Sequence, residues 1–142
     1  MKLIYSKVEP EKLLHIVYRY SEINERTDIA PENQFLQLSS IKQNKGKKYR
    51  AHEHIWKEPK YEKVIAQESW VVIDGSVKVY MYDLDGSLLN EDIITRGDCS
   101  VTFEAGHNYE IMEDNTIVYE YKTGPYEGVK NDKVFFDEKY GN

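Results

Sequence analysis

Val77-Lys78-Val79-Tyr80-Met81-Tyr82 places Val77, Val79 and Met81 at every second position, with Lys78, Tyr80 and Tyr82 between them, and Asp85-Gly86 follows. Period two is the signature of a strand with unlike faces, because successive side chains of a strand point to opposite sides. Asp-Gly is a hairpin turn signal, since glycine adopts the positive φ that such a turn needs. Working upstream, residues 70–73 (Trp70 to Ile73) form another apolar run before Gly75, and Phe35-Leu36-Gln37-Leu38 a shorter one. Downstream, residues 92–95, 101–103, 109–112 and 116–122 read as further strands. Arg96-Gly97-Asp98, Ala105-Gly106 and Glu113-Asp114-Asn115 divide them. Many short strands at near-regular spacing predict an all-β sandwich or barrel.

The chain has 142 residues, which suits one domain able to bury a core without disulfides. Twelve tyrosines, four phenylalanines and two tryptophans favour pleated, half-buried strands. Residues 10–24 read as a short helix, with Pro10 in its first turn and Leu13, Val17 and Tyr20 near one face. His15, inside this stretch, reads as a surface or packing residue. The expected organisation is an N-terminal helix and arm over residues 1–34, a barrel over 35–136, and a tail in which Val134, Phe135 and Phe136 dock back.

A single cysteine, Cys99, allows no internal disulfide, and it reads as a small buried apolar residue. The first twelve residues lack the apolar core of a leader, and no window approaches a membrane span, so a cytoplasmic location away from membranes is expected. A net charge of −6 argues against non-specific nucleic-acid binding. Charge is nonetheless uneven: residues 33–51 hold no acid but include Lys42, Lys45, Lys47, Lys48 and Arg50. Such a strip can steer an anionic ligand such as a diphosphate. No phosphate-cradling glycine loop and no dinucleotide fingerprint occurs.

Three of the four histidines fall in strand-rich sequence: His52 and His54 as an H-x-H pair, and His107 after Gly106. On a strand, residues two apart share a face, so His52 and His54 can aim both imidazoles at one point. Gly46 is followed by five residues and then His52-Glu53-His54; Glu68 is followed by six residues and then Gly75. Further on come Gly97-Asp98 and Gly106-His107.

These spacings resemble the two motifs of the cupin family. The tail Tyr119-Glu120-Tyr121-Lys122-Thr123-Gly124-Pro125-Tyr126, followed by Asn131-Asp132-Lys133, is similar to the ending of the WbuC-like small cupins of bacterial polysaccharide gene clusters. Together they cover residues 46–136. The resemblance implies a double-stranded β-helix, a jelly-roll barrel, with one divalent ion (Fe, Mn, Ni, Co or Zn) on His52, His54, Glu68 and His107. Two departures stand out. Thirteen residues, 55–67, separate the histidine pair from Glu68, where three or four are usual, and Glu58 and Glu62 lie in that insertion as alternatives. The usual proline of the second motif is also absent.

Strand phase then suggests the surroundings. Glu68, Trp70 and Val72 share one face, so Trp70 would wall a cavity around Glu68; His107, Tyr109 and Ile111 share another. Glu120, Lys122 and Tyr109 are the candidates to move a proton, and Arg50, Lys48 and Trp70 to contact a ligand. The first expectation is a metal-dependent isomerase or epimerase of a sugar or nucleotide sugar. The others are an Fe(II) dioxygenase and a non-catalytic small-molecule-binding barrel. Exposed edge strands, the N-terminal one among them, predict a homodimer.

Overall fold

A computed structural model describes residues 1–54 and 63–140. The structure is mostly β-sheet. Strands β1 (Lys2–Tyr5), β2 (Leu13–Tyr18), β8 (Cys99–Thr102), β5 (Glu68–Asp74) and β10 (Ile117–Lys122) form a five-stranded antiparallel sheet in that order. β7 (Leu88–Thr95), β6 (Ser76–Tyr82) and β9 (His107–Ile111) form a three-stranded one, and β3 (Arg26–Asp28) pairs with β4 (Ser39–Ile41). Two short helices, α1 (Val129–Asp132) and α2 (Phe136–Tyr140), follow β10. No helix among the described residues is long and apolar enough to cross a membrane.

The two larger sheets share a core. Ile4, Val17 and Val72 from the five-stranded sheet meet Val77, Val79, Met81 and Ile94 from β6 and β7, all at most 7% exposed. The alternation that predicts β6 is thus the alternation of its burial. On the far face of the five-stranded sheet, Ile16, Tyr18, Val101 and Phe103 pack beneath Ile29 and Ala30 of the arm, with Leu36 and Leu38 alongside. β2 and β8, covered on both faces, are the most deeply buried strands.

That double burial explains why the expected helix over residues 10–24 is instead β2 followed by a 3-10 turn at Tyr20–Glu22. A strand buried on both sides shows no alternation, so Leu13-Leu14-His15-Ile16-Val17-Tyr18 reads as a continuous apolar run with no decisive period. The β-branched Ile16 and Val17 and the aromatic Tyr18 are the cues that favour a strand. Phe35 to Leu38 is likewise not a strand. It is arm, anchored where the Leu38 carbonyl accepts from the amides of Ile29 and Ala30, and pairing begins only at Ser39. The hairpin at Asp85-Gly86 forms as read, with Gly86 at φ +82°. Of the three tail residues expected to dock, only Phe136 does so, edge-on to Tyr82 at 4.7 Å; Val134 and Phe135 are exposed.

Candidate functional site

Sheet register lines side chains up in two rows on the face turned towards the three-stranded sheet, most of them polar. In the first, His15 lies opposite Thr102, Thr102 opposite Glu68, and Glu68 opposite Lys122. In the second, Val17, Ser100, Trp70 and Glu120 follow one another the same way. β9 brings His107 and Tyr109 down onto these rows. His107 Nε2 stands 3.1 Å from Glu68 Oε1, and the Tyr109 ring stacks on Trp70 at 3.9 Å between centroids and 6° between planes. The strand-phase reading of Glu68 with Trp70, and of His107 with Tyr109, therefore describes one facing set.

Each group has a definite partner. The Trp70 indole N–H donates to Glu120 Oε2 at 3.3 Å, and the Tyr109 hydroxyl meets Ser100 Oγ at 3.2 Å. Lys122 donates to Asp132 Oδ2 at 2.9 Å, and its ammonium sits over the Tyr126 ring. His15 is fully buried. Its Nε2 lies 2.9 Å from the Tyr82 carbonyl, which can only accept, so Nε2 carries the proton and Nδ1 accepts from the Thr102 hydroxyl at 3.0 Å. His107 Nδ1 is buried with no partner among the described residues, as is Ser69 Oγ on β5.

Electrostatics follow from these contacts. Burial would raise the Glu68 carboxyl. The His107 hydrogen bond and charge, with Lys133 and Lys122 behind them, outweigh it and hold Glu68 below the usual carboxylate range. Burial pushes the His15 imidazole down to about 4, against the opposing Tyr82 carbonyl and Asp83, so it is neutral at pH 7. Burial raises the Tyr109 hydroxyl, which stays protonated and available as a donor. Burial also lifts the Cys99 thiol to about 12, so it is no nucleophile.

The histidine pair is elsewhere. His52 and His54 lie on exposed coil rather than on a strand, with rings 5.5 Å apart and edge-on, and His52 Nδ1 is 2.9 Å from the Arg50 carbonyl. Lys48 and Arg50 are exposed on the same coil. Its lysine-rich sequence offers no apolar alternation to seat it on a sheet, whereas Glu68 and His107 start strands that the core fixes. Glu58 and Glu62 lie outside the described residues. Among the described residues no three His, Cys, Asp or Glu side chains form a group suited to a metal ion. Glu68 and His107 fit as half of a four-donor set, one carboxylate and one imidazole with an unsatisfied buried ring nitrogen beside it.

Sequence reasoning missed Thr102 and Ser100, whose signal is register rather than motif, since they lie opposite Glu68 and Trp70; it quoted Asp132 within the tail motif but not its bond to Lys122. An open groove of about 870 Å³ lies at the same end of the five-stranded sheet, lined by Tyr5, Lys12, Leu13, Gln34, Phe103 and Gln67. Gln67 separates it from Glu68, with its side chain bonded to the Leu36 amide and to Gln34. Comparison with known proteins finds no matching family model, no similar curated protein and no similar solved structure.

Proposed function

We propose that this chain is a divalent-metal-binding protein of the cupin type, its sheets closing as a jelly roll, with Glu68, His107, His52 and His54 as the donors. One observation carries the reading. Glu68 and His107, singled out by motif spacing and 39 positions apart in the chain, meet at 3.1 Å between the sheets. Among the described residues β9 is the outer strand of its sheet, and no described strand pairs with the side beside His107 on which the stretch bearing His52 and His54 can add. Three imidazoles and a carboxylate suit Fe(II), Mn, Ni, Co or Zn, and such an ion polarises a carbonyl or hydroxyl of a bound ligand.

The chain's own residues supply the rest. The Tyr109 hydroxyl donates, the Glu120 carboxylate accepts, and Lys122 keeps positive charge behind Glu68. This set suits proton transfer on a sugar or nucleotide sugar, the substrate class that the motif resemblance suggests. The Glu68–His107 bond also favours a second reading, a non-catalytic binding barrel, because Glu68 and His107 Nε2 are already paired without an ion.

Metal analysis of untagged protein tests the first reading. About one equivalent of metal is expected in the wild type, with loss in both Glu68→Gln and His52→Ala. Full metal in both variants, or none after loading with all five metals, overturns it. A thermal-shift panel of nucleotide sugars tests the ligand, since a binder stabilises the folded state by mass action; unmoved melting curves reject the carbohydrate assignment.

A further inference from the structure

The Glu68–His107 pair lies at one end of the sheets. β5 and β9 begin on Glu68 and His107, while β10, β8 and β6 finish on Lys122, Thr102 and Tyr82. The pair is sheltered, with the Glu68 side chain 9% exposed and that of His107 24%. The chain beyond β10 runs across this end. Asp132 takes the Lys122 ammonium at 2.9 Å. Burial works to raise the Glu68 carboxyl, and Lys133 joins His107 in outweighing it. Phe136 lies against Gly106, the residue before His107, so closely that a Cβ there would collide with its ring, and the same ring abuts Tyr82. Tyr140 ends the crossing, its hydroxyl donating to the Leu84 carbonyl and its ring resting on Gly86.

Few contacts hold this crossing. Of residues 126–140 only Gly128, Asp132, Phe136 and Tyr140 are not exposed, a spacing of four that turns one narrow stripe towards the sheets. Neither α1 nor α2 buries a residue. An ion pair, a ring edge and a hydroxyl are therefore the footholds, and a segment with so few buried contacts opens locally well before the core does. At its root Gly128 has φ +92° and open space where a Cβ would stand, so it can absorb the rotation that opening needs.

We propose that residues 126–140 form a strap that gates the Glu68–His107 site, with Asp132 as its catch on Lys122 and Phe136 as its seal beside His107. The gating role rests on the pair being the metal or ligand site proposed above. Closed, the strap keeps water from Glu68 and His107, which strengthens the electrostatic contacts that a bound ion or ligand makes there. When the catch releases, Lys122 loses its acidic partner and the His107 ring opens to solvent. One movement thus admits a ligand and frees the ammonium that meets it, as closing segments do over other sites.

Carbethoxylation of the histidines by diethyl pyrocarbonate, read residue by residue by mass spectrometry, tests the strap without any ligand. Exposed His52 and His54 are the fast references, and fully buried His15 reports on the fold. In the wild type His107 should react more slowly than His52. Asp132→Ala and Phe136→Ala should each raise its rate about tenfold, because modification follows the population of the open form and each variant removes one foothold. The rates of His52 and His54 and the protection of His15 should not change. Zinc uptake followed by stopped flow should quicken by a similar factor in Phe136→Ala, at the same final stoichiometry. No zinc uptake, with His107 still quickened, removes the metal reading and leaves the strap standing. An unchanged His107 rate in both variants, or a wild-type His107 as reactive as His52, overturns the strap. So does zinc uptake at an unchanged rate, since the ion then enters by another route. A rise at His15 in step with His107 also overturns it, because the segment then opens only with the whole fold.

Discussion

His15 makes a sharp test of how the interior is organised, because it is a fully buried imidazole held neutral between the Tyr82 carbonyl and the Thr102 hydroxyl. Burial puts its folded pKa near 4, against about 6.5 in the unfolded chain. The folded state therefore binds fewer protons than the unfolded state between those values, and stability falls as pH falls through that window. The contribution is fully present above about pH 6.5 and is lost progressively as pH drops towards 4. At about 1.4 kcal/mol per pH unit, lowering the pH from 7 to 5 should cost on the order of 2 kcal/mol. The carboxylates held low by their partners, Glu68, Asp83, Asp92 and Asp98, lose their contributions only at lower pH, so they leave this window clear. Urea unfolding at pH 7 and pH 5 should show that loss in the wild type. His15→Gln can still donate to the Tyr82 carbonyl but does not titrate, and it should lack about the same amount of pH dependence. Equal pH dependence in the two proteins would refute the buried, neutral assignment.

Other substitutions probe the supports of the same frame. Asp98 accepts from Arg19, from the Tyr20 and Thr95 amides and from the Thr95 hydroxyl, so Asp98→Ala should cost about 3 kcal/mol by chemical denaturation, most of it from donors left unpaired. Gly86 sits at φ +82° with the Tyr140 ring 2.6 Å from where a Cβ would stand; Gly86→Ala should lower the melting temperature by several degrees and loosen α2, detectable as faster amide exchange over residues 136–140. Tyr109→Phe removes only the hydroxyl that meets Ser100, so about 1 kcal/mol of stability is expected to go while the stack keeps the Trp70 emission unchanged.

β6 is legible in the sequence because one face lies on the shared core, so burial writes itself as alternation, while β8, buried on both faces, is marked off by the turn residues that flank it, Gly97-Asp98 and Ala105-Gly106. β2 is not legible, since both its faces are buried and the period vanishes. β4 begins after the apolar residues of 35–38 rather than on them, because those side chains serve the arm that covers Val101 and Phe103 and not a ladder. At the site, Glu68 and His107 were readable from spacing, and strand phase gave Trp70 and Tyr109 their facing positions. The partners Thr102 and Ser100 were not, because cross-strand register depends on which strands become neighbours, and β2 beside β8 beside β5 is a long-range choice that no local pattern encodes. His52 and His54 show the limit from the other side: period-two spacing aligns two imidazoles only when the backbone is a strand, and here it is coil.

The chain's four histidines permit one direct test, by following all four imidazole rings in ¹⁵N-correlated spectra while Zn²⁺ is added. The account predicts that the signals of His52, His54 and His107 move together and saturate at one equivalent, while His15 stays fixed between Tyr82 and Thr102. Movement of His52 and His54 with His107 unchanged would contradict it, since the ion would then be held on the exposed coil and not beside Glu68.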